Sequence, residues 1–422
     1  MLDIKFIREN KDVIIMGAKK KHLEIDIDAL IILDDRRKAL QTSIEAKRAE
    51  QNAASNDIAG AINEVDRQQR IIAMQKIKEA GKKEEEELKH VLEDWRALMV
   101  RVPNIPDMSV PEGDDDADNQ EVKAWGEKTK FDFTPKSHVD LMLLHDMADF
   151  DRGAKVSGFR GYFLKNDGAR LSWALWRYAQ DFFLKKDFTP MIVPSLVRKE
   201  SFFGSGYLPQ GEEDLYKTQD GEYLAGTAEV ATMGYYMDEV IDASQLPIRF
   251  IGFSPCFRRE AGAHSKDVKG LIRVHEFYKW EQVILCEASH EESVKWHEWI
   301  NRNTEEFIES MNIPYHTVAN CGGDLGLGQV KKFDIELWVP GEEKYREISS
   351  ASYFHDFQTR RLNTRYKDKD GKMRFVHSLN STAAPTPRIL VSLIENFQNA
   401  DGSITIPEVL RPYMGKDVIK KG

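Results

Sequence analysis

The chain has 422 residues, of which 41% are apolar and 31% are charged, and its formal net charge is −10. This length exceeds one ordinary hydrophobic core and predicts two domains. The acidic balance argues against sequence-blind binding of nucleic acid over the whole surface, although it leaves room for a local basic stripe. No run approaches eighteen uninterrupted apolar residues, and the first residues lack the apolar core of a signal peptide, so we expect no membrane span.

The cysteines are few, odd in number and far apart, at Cys256, Cys286 and Cys321. This pattern predicts reduced thiols and a cytoplasmic protein. A zinc site would need paired Cys or His residues at short spacing, and none occurs, so we expect no zinc. We interpret His264 and His275 as polar surface or strand residues rather than as ligands.

Residues 1–27 contain short apolar turns and predict a small helical cap. From about Asp28 a heptad seam begins, and a second seam of the same spacing ends at Leu98, which predicts two antiparallel helices. With about 35 residues in each helix, the hairpin would be about 50 Å long. The seam positions are Leu30, Leu33, Arg37, Leu40 and Ile44, then Met74, Ile77, Gly81, Glu84, Leu88, Val91, Trp95 and Leu98.

Two positions compete for the tip of this hairpin. Gly81, followed by two lysines, has the composition of a turn, but a turn there would leave one helix with an unpaired apolar seam. Equal helices place the tip between Gly60 and Arg70 and leave Gly81 inside the second helix at some cost in stability. We therefore predict equal helices. A hairpin of this kind is usually a structural or dimerisation element.

Residues 101–130 have three prolines, an acidic run and no period, and predict a linker. The remainder, residues 131–422, mixes amphipathic helices with short strands, without regular alternation and without a glycine-rich phosphate loop. We therefore predict an α+β fold built on a largely antiparallel sheet with flanking helices, preceded by the coiled-coil helical arm.

The stretch from Cys256 to Glu281 predicts a hairpin of strand, polar loop and strand. Arg258, Glu260, Arg273, Phe277 and Glu281 would then share one face. Two guanidinium groups, two carboxylates and a flat ring suit a nucleoside triphosphate whose phosphate activates a carboxylate. Arginine binds phosphate through paired N–H groups, phenylalanine stacks on a base, and glutamate accepts from an amino group.

Three further segments carry candidate site residues. Thr227 precedes a helix-like run and suits an N-cap. Glu347 and Ser350 supply a carboxylate and a hydroxyl that can reach one hard cation, which is the ligand chemistry of magnesium. Arg388 follows a strand and a turn and starts an apolar helix, where the helix dipole would favour a phosphate.

Together these segments resemble motifs of the class II aminoacyl-tRNA synthetases, and most closely those of the seryl-tRNA synthetases. Cys256–Glu281 resembles motif 2, the strand with Pro194 resembles motif 1, and Leu379–Arg388 resembles motif 3. The segment VPNIPDMSVPEG resembles the connector of that family, Thr227-Ala228-Glu229 resembles its Thr-x-Glu motif, and PEVLRPYM resembles its end.

The resemblance implies a ligase that activates L-serine with ATP to seryl-adenylate and transfers the seryl group to tRNA-Ser, with tRNA-Sec as a further acceptor. It implies a homodimer, with Pro194 at the interface. It also implies that residues 1–100 bind the long variable stem of the tRNA through phosphate contacts. The candidate cations are Arg36, Arg37, Lys38, Lys47 and Arg48 on the first helix, and Lys76, Lys78, Lys82 and Lys83 on the second.

The resemblance also assigns site residues. Arg258 and Arg388 are implied as catalytic, the first between the α-phosphate and the serine carboxylate and the second on the γ-phosphate. Glu347 and Ser350 are implied as ligands of magnesium and ATP. The serine residues are Thr227, Glu229, Arg258, Glu281, Asn380 and Thr382, and the ATP residues are Arg258, Glu260, Arg273, Phe277, Glu347, Ser350 and Arg388.

Three departures from the family pattern leave local packing open: LAG before Thr227, SYFH at 352–355, and Pro385. Two other functions stay as alternatives. A ligase that loads an amino acid onto a carrier protein would be expected to lack the arm. An inactive RNA-binding paralog would be expected to have lost Arg258, Glu347 or Arg388, and all three are present.

Overall fold

The computed structural model describes residues 1–59, 61–261, 267 and 269–420. The chain divides into two compact units. A helical unit consists of Leu2–Lys19 and Leu23–Pro103, and a sheet unit consists of Met1, Lys20–His22 and the chain from Asn104 onward. Gly60, one bound of the predicted tip, and His264, a predicted surface residue, lie outside the described residues.

The helices are α1 (Ile4–Glu9), α2 (Lys11–Lys20), α3 (Ile27–Ala59), α4 (Glu64–Met99), α5 (His138–Leu144), α6 (Phe150–Ser157), α7 (Asn166–Leu184), α8 (Lys199–Ser205), α9 (Ala228–Gly234), α10 (His290–Ser310), α11 (Phe357–Leu362), α12 (Arg388–Asn396) and α13 (Arg411–Met414). Within the described residues, no helix combines the length and the apolar character needed to span a membrane.

The strands are β1 (Gln120–Trp125), β2 (Ala148–Asp149), β3 (Phe163–Leu164), β4 (Thr189–Ile192), β5 (Leu196–Val197), β6 (Tyr216–Lys217), β7 (Tyr223–Leu224), β8 (Val240–Ile241), β9 (Ile248–Phe257), β10 (Glu276–Cys286), β11 (Tyr315–Ala319), β12 (Lys331–Val339), β13 (Lys344–His355), β14 (Arg365–Lys367), β15 (Met373–Phe375), β16 (His377–Thr386), β17 (Ile404–Thr405) and β18 (Val418–Ile419).

The helical unit contains the two long helices that the heptad pattern predicts. Helix α3 has 33 residues and α4 has 36, so the helices are nearly equal and their connection lies at the predicted tip. Gly81 lies buried inside α4, where a Cβ would meet Gln51 at an ordinary contact distance of 3.5 Å. The seam also carries charge, because Lys47 donates to both carboxylate oxygens of Glu84 at 2.9 Å.

The candidate cations of the two long helices differ in their partners. Those of α3 pair with carboxylates: Arg36 with Glu87, Arg37 and Lys38 with Asp34, Lys47 with Glu84, and Arg48 with Glu85. Those of α4 are exposed, and within the described chain no ion pair is found for Lys76, Lys78, Lys82 or Lys83. Among the candidates, positive charge that is not already paired is therefore concentrated on α4.

The sheet unit is built on eight strands in the order β1-β11-β12-β13-β16-β10-β9-β4. All neighbours are antiparallel except β4, which runs parallel to β9 at one edge. This confirms the predicted class of sheet. Helix α10 packs against β13 and β16, and its buried residues Ile300, Phe307 and Ile308 enter the main core.

The predicted linker at 101–130 is partly wrong. Residues Gln120–Trp125 form β1, an edge strand paired with β11 across a bulge between Glu121 and Lys123. The strand was missed because its side chains are mostly exposed and the bulge interrupts the alternation on which a sequence prediction depends.

Two of the three departures from the family pattern are accommodated in the core. Tyr353 is fully buried, and its hydroxyl donates to Asp107 at 2.9 Å. Pro385 lies in β16 opposite Lys279, beyond the last residue of β16 that pairs with β13. The three cysteines are free and buried.

Candidate active site

Two adjoining cavities on the sheet unit bring together every candidate site residue. The larger cavity, of about 420 Å³, is lined by Thr227, Glu229, Glu281, Ser350 and Asn380. The smaller one, of about 60 Å³, is lined by the remaining nucleotide candidates, Glu260, Arg273, Phe277 and Arg388. Four residues line both cavities: Arg258, Lys279, Glu347 and Thr382. The residues assigned to serine thus line the larger cavity, and those assigned to ATP line the adjoining smaller one, except for Ser350, which lines the larger cavity.

The β9–β10 hairpin supplies the common wall of these cavities. The predicted strand, loop and strand are confirmed, with Phe257 opposite Glu276 and Cys256 opposite Phe277. Phe277 and Glu281 lie on one face of β10, as alternation requires. Arg258, Glu260 and Arg273, however, lie in the connection between the strands and not in the strands themselves. Their shared position comes from the loop, so the prediction from strand alternation was wrong for these three.

Two buried carboxylates face the larger cavity. Glu229 is 2% exposed and accepts hydrogen bonds from Gln358 at 2.7 Å and from the hydroxyl of Tyr207 at 3.1 Å. Glu281 accepts from the amide of Asn380 at 3.2 Å and from the hydroxyl of Thr382 at 3.3 Å. Burial, and then the neighbouring charge of Glu281, raises the pKa of Glu229 to about 7.

Thr227 has two structural roles at once. It is the N-cap of α9, and its hydroxyl oxygen accepts from the backbone N–H of Glu229 at 3.4 Å. The same oxygen also accepts from the ammonium of Lys279 at 2.8 Å, inside the cavity. The N-cap interpretation and the pocket interpretation are therefore compatible.

Lys279 is the main residue of the site that was not predicted from the sequence. It is 4% exposed, and its ammonium contacts Thr227, Thr382 and Glu281. Its position between Phe277 and Glu281 on the same face of β10 was a usable signal, because alternation directs it into the same cavity. Tyr207 and Gln358 were also missed, and no local pattern indicates them, since they approach Glu229 from distant segments.

The smaller cavity holds a layer of cations and one ring. The guanidinium of Arg258 lies 5.3 Å from the ring centre of Phe277. Arg273 forms an ion pair with Glu260. Arg388, at the start of α12, donates to the backbone oxygen of Ile272 at 3.0 Å and of Glu347 at 2.6 Å. Burial lowers the pKa of Arg388 from its ordinary value, which nevertheless leaves an arginine charged at neutral pH.

Glu347 and Ser350 reach the same cavity because strand β13 contains a bulge. Residues three apart in a regular strand point to opposite faces. Here Glu347 pairs with Glu336 and Ser349 pairs with Ile335, so Ile348 has no partner on β12. Because Ile348 is not counted in the ladder, Glu347 and Ser350 are two ladder positions apart, and both side chains point to the face of the cavity.

The donor set at this bulge is one carboxylate and one hydroxyl. Within the described chain, no cluster of three or more His, Cys, Asp or Glu residues could hold a metal ion. Magnesium is commonly bound by one or two carboxylates together with phosphate oxygens and water. Glu347 and Ser350 therefore fit a magnesium ion that is bound jointly with a nucleotide.

A loop at 326–329 closes one side of the larger cavity. The ammonium of Lys21 donates to three of its backbone oxygens, at Gly326, Leu327 and Gln329, over 2.6–3.0 Å. Burial lowers the pKa of Lys21 to about 7. The side chain of Asn104 donates to the backbone oxygen of Gly328 at 3.1 Å. This loop was not predicted from the sequence as part of the site.

Comparison with known proteins agrees with this geometry. Residues 216–397 match the family model described as the tRNA synthetase class II core domain (G, H, P, S and T), and residues 1–106 match the one described as the seryl-tRNA synthetase N-terminal domain. The fold, the site and the matched core define a class II aminoacyl-tRNA synthetase.

The more specific relationship follows from full-length similarity. A serine–tRNA ligase of Deinococcus radiodurans is 45% identical over 98% of both chains. The crystal structure of a seryl-tRNA synthetase from Pyrococcus horikoshii complexed with ATP has a TM-score of 0.92 at 39% identity, with each chain fully covered. That of a cytoplasmic serine–tRNA ligase from Naegleria fowleri in complex with AMP has a TM-score of 0.87 at 31% identity, covering 100% and 99% of the two chains. The chain belongs to the serine–tRNA ligase family.

Proposed function

We propose that the chain activates L-serine with ATP and transfers the seryl group to tRNA-Ser, with tRNA-Sec as a further acceptor. The observation that carries this proposal is the connection between the two cavities. The residues assigned to serine and those assigned to ATP meet at Arg258, Glu347 and Thr382, which line both spaces. A carboxylate bound on one side can therefore approach a phosphate bound on the other.

The first step is adenylate formation. A serine carboxylate oxygen attacks the α-phosphorus of ATP, the bond from that phosphorus to the bridging oxygen breaks, and pyrophosphate leaves. The nucleophile is already anionic, so the step needs positioning and charge stabilisation rather than a protein base. Arg258 is assigned to the serine carboxylate and the α-phosphate, and Arg388 to the γ-phosphate.

The second step is transfer to the tRNA. A ribose hydroxyl at its 3′ end attacks the carbonyl carbon of the adenylate, and AMP leaves with the electrons of the broken C–O bond. The proton of the hydroxyl passes to the phosphate of the departing AMP or to water. In both steps Glu229, Glu281, Thr227, Asn380 and Thr382 are assigned to the ammonium and hydroxyl groups of serine.

The nucleotide base is assigned to Phe277 and Glu260, with Arg273 also on the nucleotide. The Arg258 guanidinium lies over one face of the Phe277 ring, so a base would stack on the other face or displace the guanidinium. Glu260 would divide its carboxylate between Arg273 and the base. Glu347 and Ser350 are assigned to magnesium, which when bound with ATP supplies positive charge to the leaving pyrophosphate.

The remaining assignments concern the rest of the chain. We propose that residues 1–100 bind the tRNA, with the exposed lysines of α4 as the phosphate contacts, and that residues 131–422 carry out catalysis. We propose a homodimer with Pro194 at the interface. Pro194 is exposed and lies just after the edge strand β4, not inside it as expected, and Ile192 at the end of β4 is 90% exposed. The three free thiols favour a cytoplasmic location.

The decisive experiment is serine-dependent exchange of labelled pyrophosphate into ATP, run beside threonine, alanine, cysteine and glycine. Arg258→Ala should abolish exchange. Arg259→Ala is the matched control, because Arg259 is the adjacent arginine, lies outside both cavities and donates to the backbone oxygen of Glu213. Absence of exchange with every amino acid, from folded protein with magnesium present, would refute the proposal.

Seryl transfer to a tRNA separates this function from the alternatives. The carrier-protein ligase would show serine exchange but would acylate no tRNA. The inactive paralog would bind tRNA without exchange. Membership in the serine–tRNA ligase family over the whole length, arm included, favours neither.

A further inference from the structure

The ammonium of Lys279 lies at the centre of the larger cavity and uses all of its hydrogen-bonding capacity there. It donates to the hydroxyl oxygen of Thr227 at 2.8 Å and of Thr382 at 3.2 Å, and it pairs with the carboxylate of Glu281. An ammonium has three donors and no acceptor. Each donor is therefore directed at one of these three groups.

This arrangement fixes the direction of both threonine hydroxyls. Because Lys279 can only donate, the oxygens of Thr227 and Thr382 must accept from it. The proton of Thr382 then points to Glu281, with an oxygen-to-oxygen distance of 3.3 Å. The oxygen of Thr227 accepts a second time, from the backbone N–H of Glu229. Its own proton is left to point into the cavity, toward a group that can accept.

Lys279 also sets the charge of the cavity. Two buried carboxylates, Glu229 and Glu281, lie beside one buried ammonium, and Arg258, which lines the same cavity, is assigned to the serine carboxylate and the α-phosphate. With both acids ionised, the two carboxylates and Lys279 together carry one net negative charge. Buried charges are costly without a partner. A substrate ammonium supplies the missing positive charge, whereas a neutral ligand does not.

We propose that Lys279 is a positioning residue that selects the amino acid, by turning the Thr227 hydroxyl into a donor and by leaving a place for one further ammonium. This inference rests on the proposed serine activation. The substrate group beside Thr227 must accept a hydrogen bond, and the group beside Glu281 must donate one. A β-hydroxyl does both, and the methyl group of alanine does neither.

The charged and titratable groups that face Lys279 come from several elements. Glu281 lies on the same strand, Glu229 on α9, Arg258 in the connection directly after β9, and the Cys256 thiol within β9. Tyr207 approaches through Glu229. Lys279 acts against the pKa increase of Glu229, so its removal should raise that pKa further.

The test uses Lys279→Met in the full-length enzyme. Methionine keeps the unbranched apolar stem of the side chain and removes the ammonium with its charge and donors. In pyrophosphate exchange we expect the KM for serine to rise about 100-fold and the preference for serine over alanine to fall at least tenfold. The KM for ATP should change no more than about threefold. The acid limb of kcat/KM for serine should move to higher pH.

Three controls separate positioning from a structural role. Lys279→Arg keeps a charged donor and should recover part of the serine preference, whereas Lys344→Met removes an exposed strand lysine and should change nothing. If Lys279→Met does not fold, Lys279→Gln is a second neutral variant. An unchanged serine KM and serine-to-alanine ratio in a folded neutral variant would overturn this inference alone. Absence of exchange in the wild-type enzyme would overturn the proposed function together with it.

Discussion

The buried carboxylate of Glu229 should cost the protein stability in a way that depends on pH. Its pKa rises from an ordinary value of 4.5 to about 7 in the folded chain. Between these values the folded state keeps a proton that the unfolded state has released. Stability therefore falls as pH rises through this window, by about 1.36 kcal/mol per pH unit, and the decrease is complete above about pH 7.

Glu229→Gln removes this titration while keeping the shape of the side chain. The variant should gain about 1 kcal/mol in free energy of unfolding at pH 5.5 and about 3 kcal/mol at pH 8, apart from a packing difference that is the same at both. With an unfolding entropy of about 2.1 cal/mol/K per residue, a unit of roughly 320 residues loses about 0.7 kcal/mol per degree. The melting temperature of the variant should then exceed that of the wild type by about 3 °C more at pH 8 than at pH 5.5.

The measurement is thermal unfolding of ligand-free wild type and variant at both pH values, followed by calorimetry. The quantity to compare is the melting temperature of the variant minus that of the wild type, at pH 8 and at pH 5.5. A packing cost that does not depend on pH cancels from this comparison. A difference that is the same at pH 5.5 and pH 8, or that shrinks at pH 8, would refute the reasoning. The same variant should bind serine more weakly and retain ATP binding, since Glu229 lines only the larger cavity.

Three further predictions test other parts of the molecule. Replacing Lys76, Lys78, Lys82 and Lys83 together by Gln should weaken tRNA binding in a filter assay and leave pyrophosphate exchange unchanged. The slope of the logarithm of the binding constant against the logarithm of the salt concentration should fall by about one unit for each phosphate that is no longer neutralised. Arg36→Gln should have a smaller effect, because Arg36 is already paired with Glu87. Gly81→Ala should stabilise α4 by about 0.5–1 kcal/mol, because alanine favours the helix and its Cβ meets Gln51 without a clash. Hydrogen exchange of the backbone amides of the two long helices should become slower, by up to about fivefold. Faster exchange would contradict this prediction. Glu347→Gln should raise the magnesium concentration needed for half-maximal exchange several-fold, and an unchanged requirement would remove Glu347 as a ligand.

The sequence predicted features that depend on local spacing and failed where contacts are long-range. The heptad seam gave two nearly equal helices, with Gly81 inside the second, because an unpaired apolar stripe is costly over many turns. The order of strand, turn, Arg388 and helix was likewise readable from neighbouring residues. Tyr207 and Gln358 carry no local signal, because what makes them part of the site is their contact with Glu229 across distant segments.

Two errors have a common cause. The assignment of Arg258, Glu260 and Arg273 to strand positions assumed that alternation continues past the ends of β9 and β10, and β1 was missed in the predicted linker because a bulge breaks alternation. Period-two alternation holds only inside a regular ladder. Lys279 is the opposite case: it was not predicted, although alternation would have placed it on the cavity face, because lysine usually lies on the surface.

The unpaired Ile348 meets a requirement of the fold and a requirement of the site with one residue. A regular ladder could run through this part of β13 with one residue fewer, and Ala351 and Tyr353 would keep their phase, but the main core would lose the side chain of Ile348, which is 4% exposed. Such a deletion would bring Glu347 and Ser350 two positions apart, about 7 Å along the strand, and straighten the backbone that now aims them. The same extra residue therefore fills the core with its own side chain and sets the spacing of the two proposed magnesium ligands beside it.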